Sequence, residues 1–553
     1  MMELLAPAGN YQQAVSCIEA GADALYGGLS KWNARNRAEN FTFEQYKSVL
    51  SLCHQRDAKF YLTLNTLLRN DELRDIQALF ESEDFALPDA VIAADIGLVL
   101  YLRKRFPALP IHISTQGGAV NSDDLQFWTD IGATRVILAR ELTLSEIKRL
   151  KNQTKLDIEI FAFGSQCVSF SGQCLWGGVL HGSSGNRGRC IGMCRDTYTC
   201  HGITGDLMYP QDINAVDMLK EISDSGVRGI KIEGRLRPAE ETKRIVSQFR
   251  NALDSLNEKD GVSFGKNYHG YLDSVLPVKN MLNRENPRKA ARKHIPPKAH
   301  DMNVSIKSAL PVFSTDGKDI VFETDRLDDI FSSANSGATF IYVIKKLSDL
   351  DALLAAEASG RTRNARIFYK LPILDFSGAI GSVLEKLKGR NVVITKISQL
   401  HTAKTRDFRE IWADYTMNAW NDTALRFLAE NNVTAIAIHP ELSFDYYLKL
   451  NHHGMKIQAI GSKKIALGYT RACFGELGLC DLRCGNTRFS IKNDTRNYDL
   501  DILCDNDFGY RTIQTASLCE PTKSFPNSLQ WIVSETDDGT KNTVIPIYDD
   551  TVA

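Results

Sequence analysis

The sequence predicts an α/β protein built from two tandem (β/α) TIM-barrel-like domains, the second a degenerate repeat of the first. Short apolar runs alternate with amphipathic helical patterns in the first half, and the same order returns 300 residues later. Repeated strand–helix units indicate a parallel sheet with helices outside, and about seven or more of them favour a closed barrel. The length of 553 residues leaves room for two such domains.

Seven apolar runs predict the strands of the first barrel. They cover residues 4–6, 24–26, 59–64, 90–93, 111–114, 135–138 and 158–162. Amphipathic patterns over 43–54, 71–81 and 122–131 predict helices between these strands. Residues 229–235 predict the last strand with a functional turn, and 238–256 predict the helix that closes the barrel.

The second half of the chain repeats the first. The heptapeptide NSDDLQF at 121–127 matches NDTALRF at 421–427, and Arg140-Glu141-Leu142 matches Pro440-Glu441-Leu442 at the same offset. The apolar runs 339–344, 366–371, 392–396 and 435–439 correspond to 24–26, 59–64, 90–93 and 135–138. Self-similarity on this scale indicates two copies of one fold rather than a solenoid. We therefore predict a barrel with a Cys-rich insertion over 1–260, a closing segment and basic linker over 261–302, and a degenerate barrel with a C-terminal cysteine set over 303–553.

Composition and charge exclude several classes of protein. With 43% hydrophobic and 24% charged residues, the chain is neither disordered nor collagen-like. No run approaches about 18 uninterrupted apolar residues, and the first residues lack the pattern of a signal peptide. We therefore expect a cytoplasmic protein without a membrane span. The 66 Lys and Arg nearly balance the 67 Asp and Glu, which argues against a broadly basic surface for nucleic acid.

One segment departs from this charge balance. Residues 279–298 hold seven Lys or Arg and one acid, Glu285, before the segment ends near Pro296-Pro297. A solvated linker accounts for this composition. A phosphate-binding arm is the alternative, because clustered Lys and Arg release counterions even when the net charge of the protein is near zero.

Four cysteines lie within 28 residues of a glycine- and serine-rich segment. They are Cys167, Cys174, Cys190 and Cys194. In a reducing compartment clustered thiols are ligands more often than disulfides, and soft thiolates bind zinc or an iron–sulfur cluster. Zinc usually takes tighter cysteine pairs, whereas six residues separate the first pair here, so the spacing favours a cluster. Buried structural cysteines are the alternative, and that role suits the isolated Cys17 and Cys53 better.

The second half contains a comparable set of cysteines. Six residues again separate Cys473 from Cys480, and Cys484 follows Cys480 with the same spacing that joins Cys190 to Cys194. We expect that a second cluster, if the chain carries two, is held by Cys473, Cys480, Cys484 and Cys519. Cys504 is the alternative fourth ligand, and buried structural cysteines are an equal alternative for the whole set.

Polar residues recur after successive predicted strands of the first barrel, where TIM barrels carry their active sites. The loop 32–41 holds two Arg and three Asn, whose forked donors suit a carboxylate, a phosphate or a nucleobase. The candidate catalytic residues are Asn33, Arg35, Arg37, His112, Glu141, Glu159, Lys231, Glu233 and Arg235. Asn65, Asp95, Gln116 and Arg140 lie at similar positions. Ordinary surface or capping roles are the alternative for each. The second barrel lacks a counterpart of the Asn/Arg loop, so we expect that it lost the primary chemistry.

These residues resemble peptidase family U32, the collagenase-like family, over residues 1 to about 255. The resemblance is carried by ELLAPAG at 3–9, GADALYGG at 21–28, Asn33-Ala34-Arg35, Cys167-x6-Cys174, NRG at 186–188 with Cys190-x3-Cys194-Arg195, and KIEGR at 231–235. The rest of the chain resembles the family only through the internal repeat.

The resemblance implies more than the residues show. Many members of the family were named peptidases, and others are oxygen-independent hydroxylases of transfer RNA, ribosomal RNA or ubiquinone precursors. Those hydroxylases carry a 4Fe-4S cluster on cysteines of this region, and some use prephenate as oxygen donor. The resemblance implies Cys167, Cys174 and Cys190 as cluster ligands, and Asn186 and Arg187 as cofactor-binding residues.

The chain departs from the family pattern at two places. Family members often have a His-Gly pair before the first cysteine, where this chain has Phe163-Gly164. Hydroxylases often take their fourth ligand from an Asp-Leu-Cys segment, where this chain has Asp212-Ile213-Asn214. Either Cys194 is then the fourth ligand, or the cluster keeps an open iron site.

Three functions follow as hypotheses. The first is an iron–sulfur-dependent, oxygen-independent hydroxylase of an RNA nucleobase or an aromatic precursor, with Arg35 and Arg37 holding a carboxylate co-substrate such as prephenate. The second is a peptidase, although the chain contains neither His-Glu-x-x-His nor Gly-x-Ser-x-Gly. The third is a non-catalytic scaffold or assembly subunit. The expected partners are RNA or a small aromatic substrate, and both homo- and hetero-oligomers remain open.

Overall fold

A computed structural model describes most of the chain. The described residues are 2–200, 202–205, 207–208, 212–256, 319–334, 336–461, 463–471, 488–496, 498–504, 507–508, 510–515, 519–521, 530–534 and 545–547. The basic run 279–298 and the predicted ligands Cys473, Cys480 and Cys484 lie outside them. Among the described residues, no helix is both long and apolar enough to cross a membrane.

The elements up to residue 256 alternate as predicted. The strands are β1 (Glu3–Ala8), β2 (Ala24–Gly27), β3 (Lys59–Leu64), β4 (Ala90–Ala93), β5 (Ile111–Ile113), β6 (Arg135–Ile137), β7 (Asp157–Ser165), β8 (Tyr198–Cys200), β9 (Ile203–Gly205), β10 (Asp212–Asn214) and β11 (Gly229–Ile232). The helices are α1 (Tyr11–Glu19), α2 (Phe43–Gln55), α3 (Asn70–Glu81), α4 (Ile96–Arg105), α5 (Ser122–Ile131), α6 (Leu144–Lys151), α7 (Trp176–His181), α8 (Leu219–Asp224) and α9 (Ala239–Ser255).

The elements after residue 318 follow the same alternation and then become all-β. The strands are β12 (Asp319–Thr324), β13 (Thr339–Val343), β14 (Arg366–Lys370), β15 (Asn391–Ile394), β16 (Glu410–Ala413), β17 (Val433–Ala437), β18 (Lys456–Ile460), β19 (Ala466–Thr470), β20 (Arg488–Asn493), β21 (Tyr498–Leu503), β22 (Arg511–Thr515), β23 (Cys519–Pro521), β24 (Gln530–Ser534) and β25 (Ile545–Ile547). The helices are α10 (Leu327–Ser332), α11 (Leu347–Ala358), α12 (Ile380–Lys386), α13 (Gln399–Thr405), α14 (Asp422–Glu430) and α15 (Phe444–Leu448).

Contacts divide the chain into two compact units. The first comprises Met1–Cys174, Ser184–Cys194 and Tyr209–Ala290, and the second comprises Leu175–Ser183, Arg195–Met208 and Ala291–Ala553. Two pieces of the Cys-rich insertion therefore belong to the second unit, which the sequence did not indicate. Strands β8 and β9 end an antiparallel sheet in the order β19-β22-β21-β20-β8-β9.

The first unit contains a closed barrel of eight parallel strands. Their order is β7-β11-β1-β2-β3-β4-β5-β6, and pairing of β6 with β7 closes the circle. Strand β10 adds to β7 in the antiparallel sense. Capping boxes begin several of the surrounding helices, as at Thr42 for α2, Asn121 for α5 and Thr143 for α6. The predicted barrel and its closing helix are confirmed.

The second unit contains another closed barrel, in the order β12-β13-β14-β15-β16-β17-β18-β24. The internal repeat extends to single residues. Asn121 and Asn421 both cap a helix with their side chains. The 3-10 helices Thr115–Gly117 and Tyr415–Met417 both end at a left-handed residue, Gly118 and Asn418. The prediction of two tandem barrels is therefore confirmed.

Candidate active site

The Asn/Arg loop after β2 is held by its first asparagine. Asn33 is fully buried, and its Nδ2 donates to the Leu29 carbonyl at 2.7 Å. Its Oδ1 accepts from the Arg35 backbone N–H and from Arg235 Nη1, each at 3.0 Å. Arg235 Nη2 donates to Asn40 Oδ1. Asn33 and Arg235, both predicted as catalytic, thus join this loop to the turn after β11.

Burial has a strong effect on Arg235. It lowers the pKa of this guanidinium to about 10, and nearby Arg35 acts in the same direction. The guanidinium of Arg235 donates to amide and hydroxyl oxygens, including Thr63 Oγ1 at 3.5 Å. A buried cation with neutral partners contributes positive potential to the carboxyl end of the barrel.

Arg35 and Glu233 form the charged pair of this rim. Arg35 Nη2 lies 3.5 Å from Glu233 Oε1, with the two side chains 30% and 12% exposed. Burial acts to raise the pKa of Glu233, but the guanidinium groups of Arg35, Arg140 and Arg237 lower it. Glu233 is therefore ionised and orients Arg35, whose exposed part can still bind an anion.

Arg140 carries positive charge to the first cysteine. Its Nη1 donates to the Ser165 carbonyl at 2.8 Å and lies 3.5 Å from Cys167 Sγ. The guanidinium carbon lies 4.1 Å from the centre of the Phe161 ring, a cation–π contact that orients the side chain. This contact places a guanidinium charge beside the sulfur of Cys167.

The loop 184–190 is held in place by the two residues predicted to bind a cofactor. Asn186 Nδ2 donates to the Cys174 carbonyl at 3.3 Å. Arg187 donates to the Leu67 carbonyl at 2.8 Å and contacts both carboxylate oxygens of Glu72. Asn186 and Arg187 therefore position the cysteine loop, and their predicted contact with a cofactor stays a prediction.

The four cysteines of the first set fit an iron–sulfur cluster in the chemistry of their donors. The thiols of Cys167 and Cys190 are free and exposed, and Cys174 and Cys194 are partly exposed. Both Cys167 and Cys190 act electrostatically on Arg35, so the two lie near the same guanidinium. Within the described ranges, no three Cys, His, Asp or Glu side chains are already close enough to hold a metal ion. Ligation by this set would therefore draw the thiols closer together.

Three predicted catalytic residues lie inside the barrel and not at its rim. His112 is the central residue of β5, Glu159 is the third residue of β7, and Lys231 is the third residue of β11. Their placement at strand ends was wrong, because each residue is paired within its strand, His112 with Ile92, Glu159 with Gly229 and Lys231 with Phe161. Arg135, which the sequence reading missed, joins Glu159 at 3.1 Å and also contacts Glu3.

Burial shifts the pKa values of two residues in this interior cluster. Lys231 Nζ lies 3.4 Å from Glu159 Oε1 and 3.9 Å from the centre of the Tyr26 ring. Burial lowers the pKa of Lys231 to about 8, although Glu159 opposes the shift. Burial also lowers the pKa of His112 well below its usual value, so this imidazole is neutral.

The remaining predicted residues are dispersed. Glu141 is buried in the turn after β6, and Arg37 is exposed on the Asn/Arg loop. Cys519 begins β23, and Cys504 is partly exposed after β21. Because Cys473, Cys480 and Cys484 lie outside the described residues, the second cluster stays a prediction.

Comparison with known proteins identifies a matching family and several relatives. A family model described as Peptidase family U32 matches residues 9–282. The chain is 30% identical over 266 residues to the tRNA hydroxylation protein P1 of Bacillus subtilis, covering 46% of this chain and 63% of that protein. It is 34% identical over 285 residues to the 23S rRNA 5-hydroxycytidine synthase of Escherichia coli, covering 50% and 43%. It is 31% identical over 274 residues to a collagenase of Porphyromonas gingivalis, covering 46% and 66%.

The first unit is thus a TIM-barrel domain in which Arg35, Arg140 and Arg235 lie at the carboxyl end of the barrel, beside a cysteine-rich loop. The chain belongs to peptidase family U32, as its motifs predicted. It spans about two thirds or less of the length of these three relatives.

Proposed function

We propose that this chain is an iron–sulfur-dependent, oxygen-independent hydroxylase that acts on an RNA nucleobase or an aromatic precursor. The observation that carries the proposal is that the guanidinium groups of Arg140 and Arg35 lie close to cysteines of the first set. Arg140 contacts Cys167 at 3.5 Å, and Arg35 lies near both Cys167 and Cys190. Relatives named for hydroxylation of tRNA and rRNA support the same class of reaction.

In this proposal each group has a separate role. Cys167, Cys174, Cys190 and Cys194 would hold a 4Fe-4S cluster, which supplies one-electron chemistry when bound. Arg35, held by Glu233, would bind the carboxylate of a co-substrate such as prephenate through its exposed fork, and Arg37 would add charge. The buried Arg235 would add positive potential at the same rim.

The experiment is anaerobic purification with iron and sulfide analysis, followed by mass spectrometry of RNA nucleosides from cells with and without the gene. We expect a coloured, iron-containing protein and one hydroxylated nucleoside that disappears with the gene. Cys167→Ser, Cys174→Ser and Cys190→Ser should each lower the iron content. The control is Cys53→Ala, since Cys53 is buried in α2. A colourless, iron-free protein that keeps full activity would contradict the proposal.

A peptidase is the second candidate, because one relative is named a collagenase. A cysteine peptidase needs an imidazole near its nucleophile. In the part of the chain that the structure describes, the side chain that hydrogen-bonds to the Cys167 sulfur is that of Arg140, which is a guanidinium and not an imidazole. Cys167→Ser separates the two functions, since it would abolish proteolysis without changing iron content if Cys167 were a nucleophile.

A further inference from the structure

Four charged side chains meet at the carboxyl end of the second barrel. Glu323 is the next-to-last residue of β12, Lys370 ends β14, Asp414 follows β16, and Lys463 follows β18. Lys370 Nζ lies 2.8 Å from Asp414 Oδ1 and 3.2 Å from Glu323 Oε2. Lys463 contacts the other oxygen of Glu323. The four side chains are at most 11% exposed.

Three of these four charges have no charged counterpart in the first barrel. The strand registers and the equivalent 3-10 helices align Glu323 with Pro7, Lys370 with Thr63 and Asp414 with Ser114. The attraction within a buried ion pair seldom exceeds the desolvation cost of its two charges. Stability alone therefore does not explain why the second barrel has charges at three positions that are uncharged in the first barrel. The carboxyl end of barrel strands is where this fold places binding and catalytic groups.

The hydrogen bonds of the cluster leave an excess of donors. Both oxygens of Glu323 accept from lysines, and the two oxygens of Asp414 accept from Lys370 and from Thr416 Oγ1, the latter at 2.9 Å. An ammonium group has three N–H donors. Over the described ranges, Lys463 uses one of them and Lys370 uses two. The unused donors require acceptor atoms from elsewhere.

A histidine beside the cluster adds another donor. His439 follows β17 and is 2% exposed, and its ring lies 6.2 Å from that of Tyr415, which is itself 5.6 Å from Lys370 Nζ. Burial lowers the pKa of His439 to about 3, so the ring is neutral. Its Nδ1 accepts from the Glu441 backbone N–H at 3.2 Å, which leaves the hydrogen on Nε2. Among the described residues, that buried Nε2 has no hydrogen-bond partner.

We propose that the carboxyl end of the second barrel binds a small organic carboxylate, whose oxygens accept from Lys463, Lys370 and His439. The donors come from three different strand ends, an arrangement that surrounds a compact ligand. This site is independent of the cysteines and of the Asn/Arg loop in the first barrel.

The test is calorimetric titration of the full-length protein with acetate, malonate, 2-oxoglutarate and inorganic phosphate. We expect saturable binding of at least one of the carboxylates. Lys463→Gln and His439→Phe each remove a donor and should weaken that binding by about tenfold or more, the usual effect of losing a hydrogen bond to a charged ligand. Lys386→Gln is the matched control, because Lys386 pairs with Asp351 on the exposed surface of the same barrel.

Each outcome decides the proposal. Binding that Lys463→Gln and His439→Phe leave unchanged would place the carboxylate elsewhere and overturn it. Binding of phosphate alone, or of none of the probes, would overturn it as well. Lys463→Gln removes one partner of Glu323, so its folding is checked by circular dichroism and urea unfolding. His439→Phe keeps all four charges and decides the question if Lys463→Gln does not fold.

Discussion

At the scale of single residues, the first barrel separates two sets of charges that look alike in the sequence. Arg35 and Glu233 lie at the rim, whereas Lys231 and Glu159 lie in the interior with Arg135. Apart from Arg135, all of these residues were predicted to lie at strand ends. The position of a charge within a strand depends on where pairing ends, and the length of an apolar run does not reveal this.

The lowered pKa of Lys231 predicts a pH dependence of stability. The folded pKa is about 8 and the ordinary value is 10.5, so between these values the unfolded chain binds more protons. Folding stability should therefore rise with pH across this range, because the cost of burying the charged amine disappears. Urea unfolding of the wild type and of Lys231→Met from pH 7 to pH 10.5 measures the difference. A difference that stays constant with pH would contradict the shift.

At the scale of elements, one glycine lets the cysteine loop approach the Asn/Arg loop. Gly188 has φ of +78°, and a Cβ built there would lie 2.3 Å from the Asn33 carbonyl oxygen. Asn36 Nδ2 also donates to the Arg187 carbonyl at 3.2 Å. A side chain at position 188 would therefore push the two loops apart, and with them Cys190 and Arg35.

Gly188→Ala is expected to lower both stability and iron content. The matched control is Gly202→Ala, because Gly202 has the same φ of +78° but nothing within 4 Å of its Cβ position. Left-handed backbone strain alone costs about 1–2 kcal/mol, which both variants share. Urea unfolding and iron analysis of the two proteins separate strain from collision. Equal behaviour of the two variants would show that the contact with Asn33 does not matter.

At the scale of the whole molecule, the two barrels share a topology and differ in their polar residues. The first has the Asn/Arg loop and the Cys-rich segment, and the second has the buried cluster of Glu323, Lys370, Asp414 and Lys463. The second barrel was expected to have lost the primary chemistry. What its structure contains instead is a charged centre on equivalent strands, which favours a different role for that unit.

The cysteine sets predict how much iron the whole chain holds. If Cys473, Cys480, Cys484 and Cys519 bind a second cluster, then replacing the first three by Ser should halve the iron per chain. The matched variant replaces Cys167, Cys174 and Cys190 by Ser and should remove the other half. Iron and sulfide analysis of anaerobically purified protein measures both. An unchanged iron content in the variant of Cys473, Cys480 and Cys484 would show that the chain does not hold a second cluster on these residues.

The sequence by itself determined the two barrels, the repeat that relates 121–127 to 421–427, and the cysteine-rich segment. These features depend on periodicity and on contacts between neighbouring residues, which the order of amino acids contains directly. The tertiary structure alone decided that Arg140 reaches Cys167, that Lys231 is buried, and that 175–183 and 195–208 belong to the second unit. Those features join residues far apart in the chain, and their partners become defined only when the strands are paired and packed.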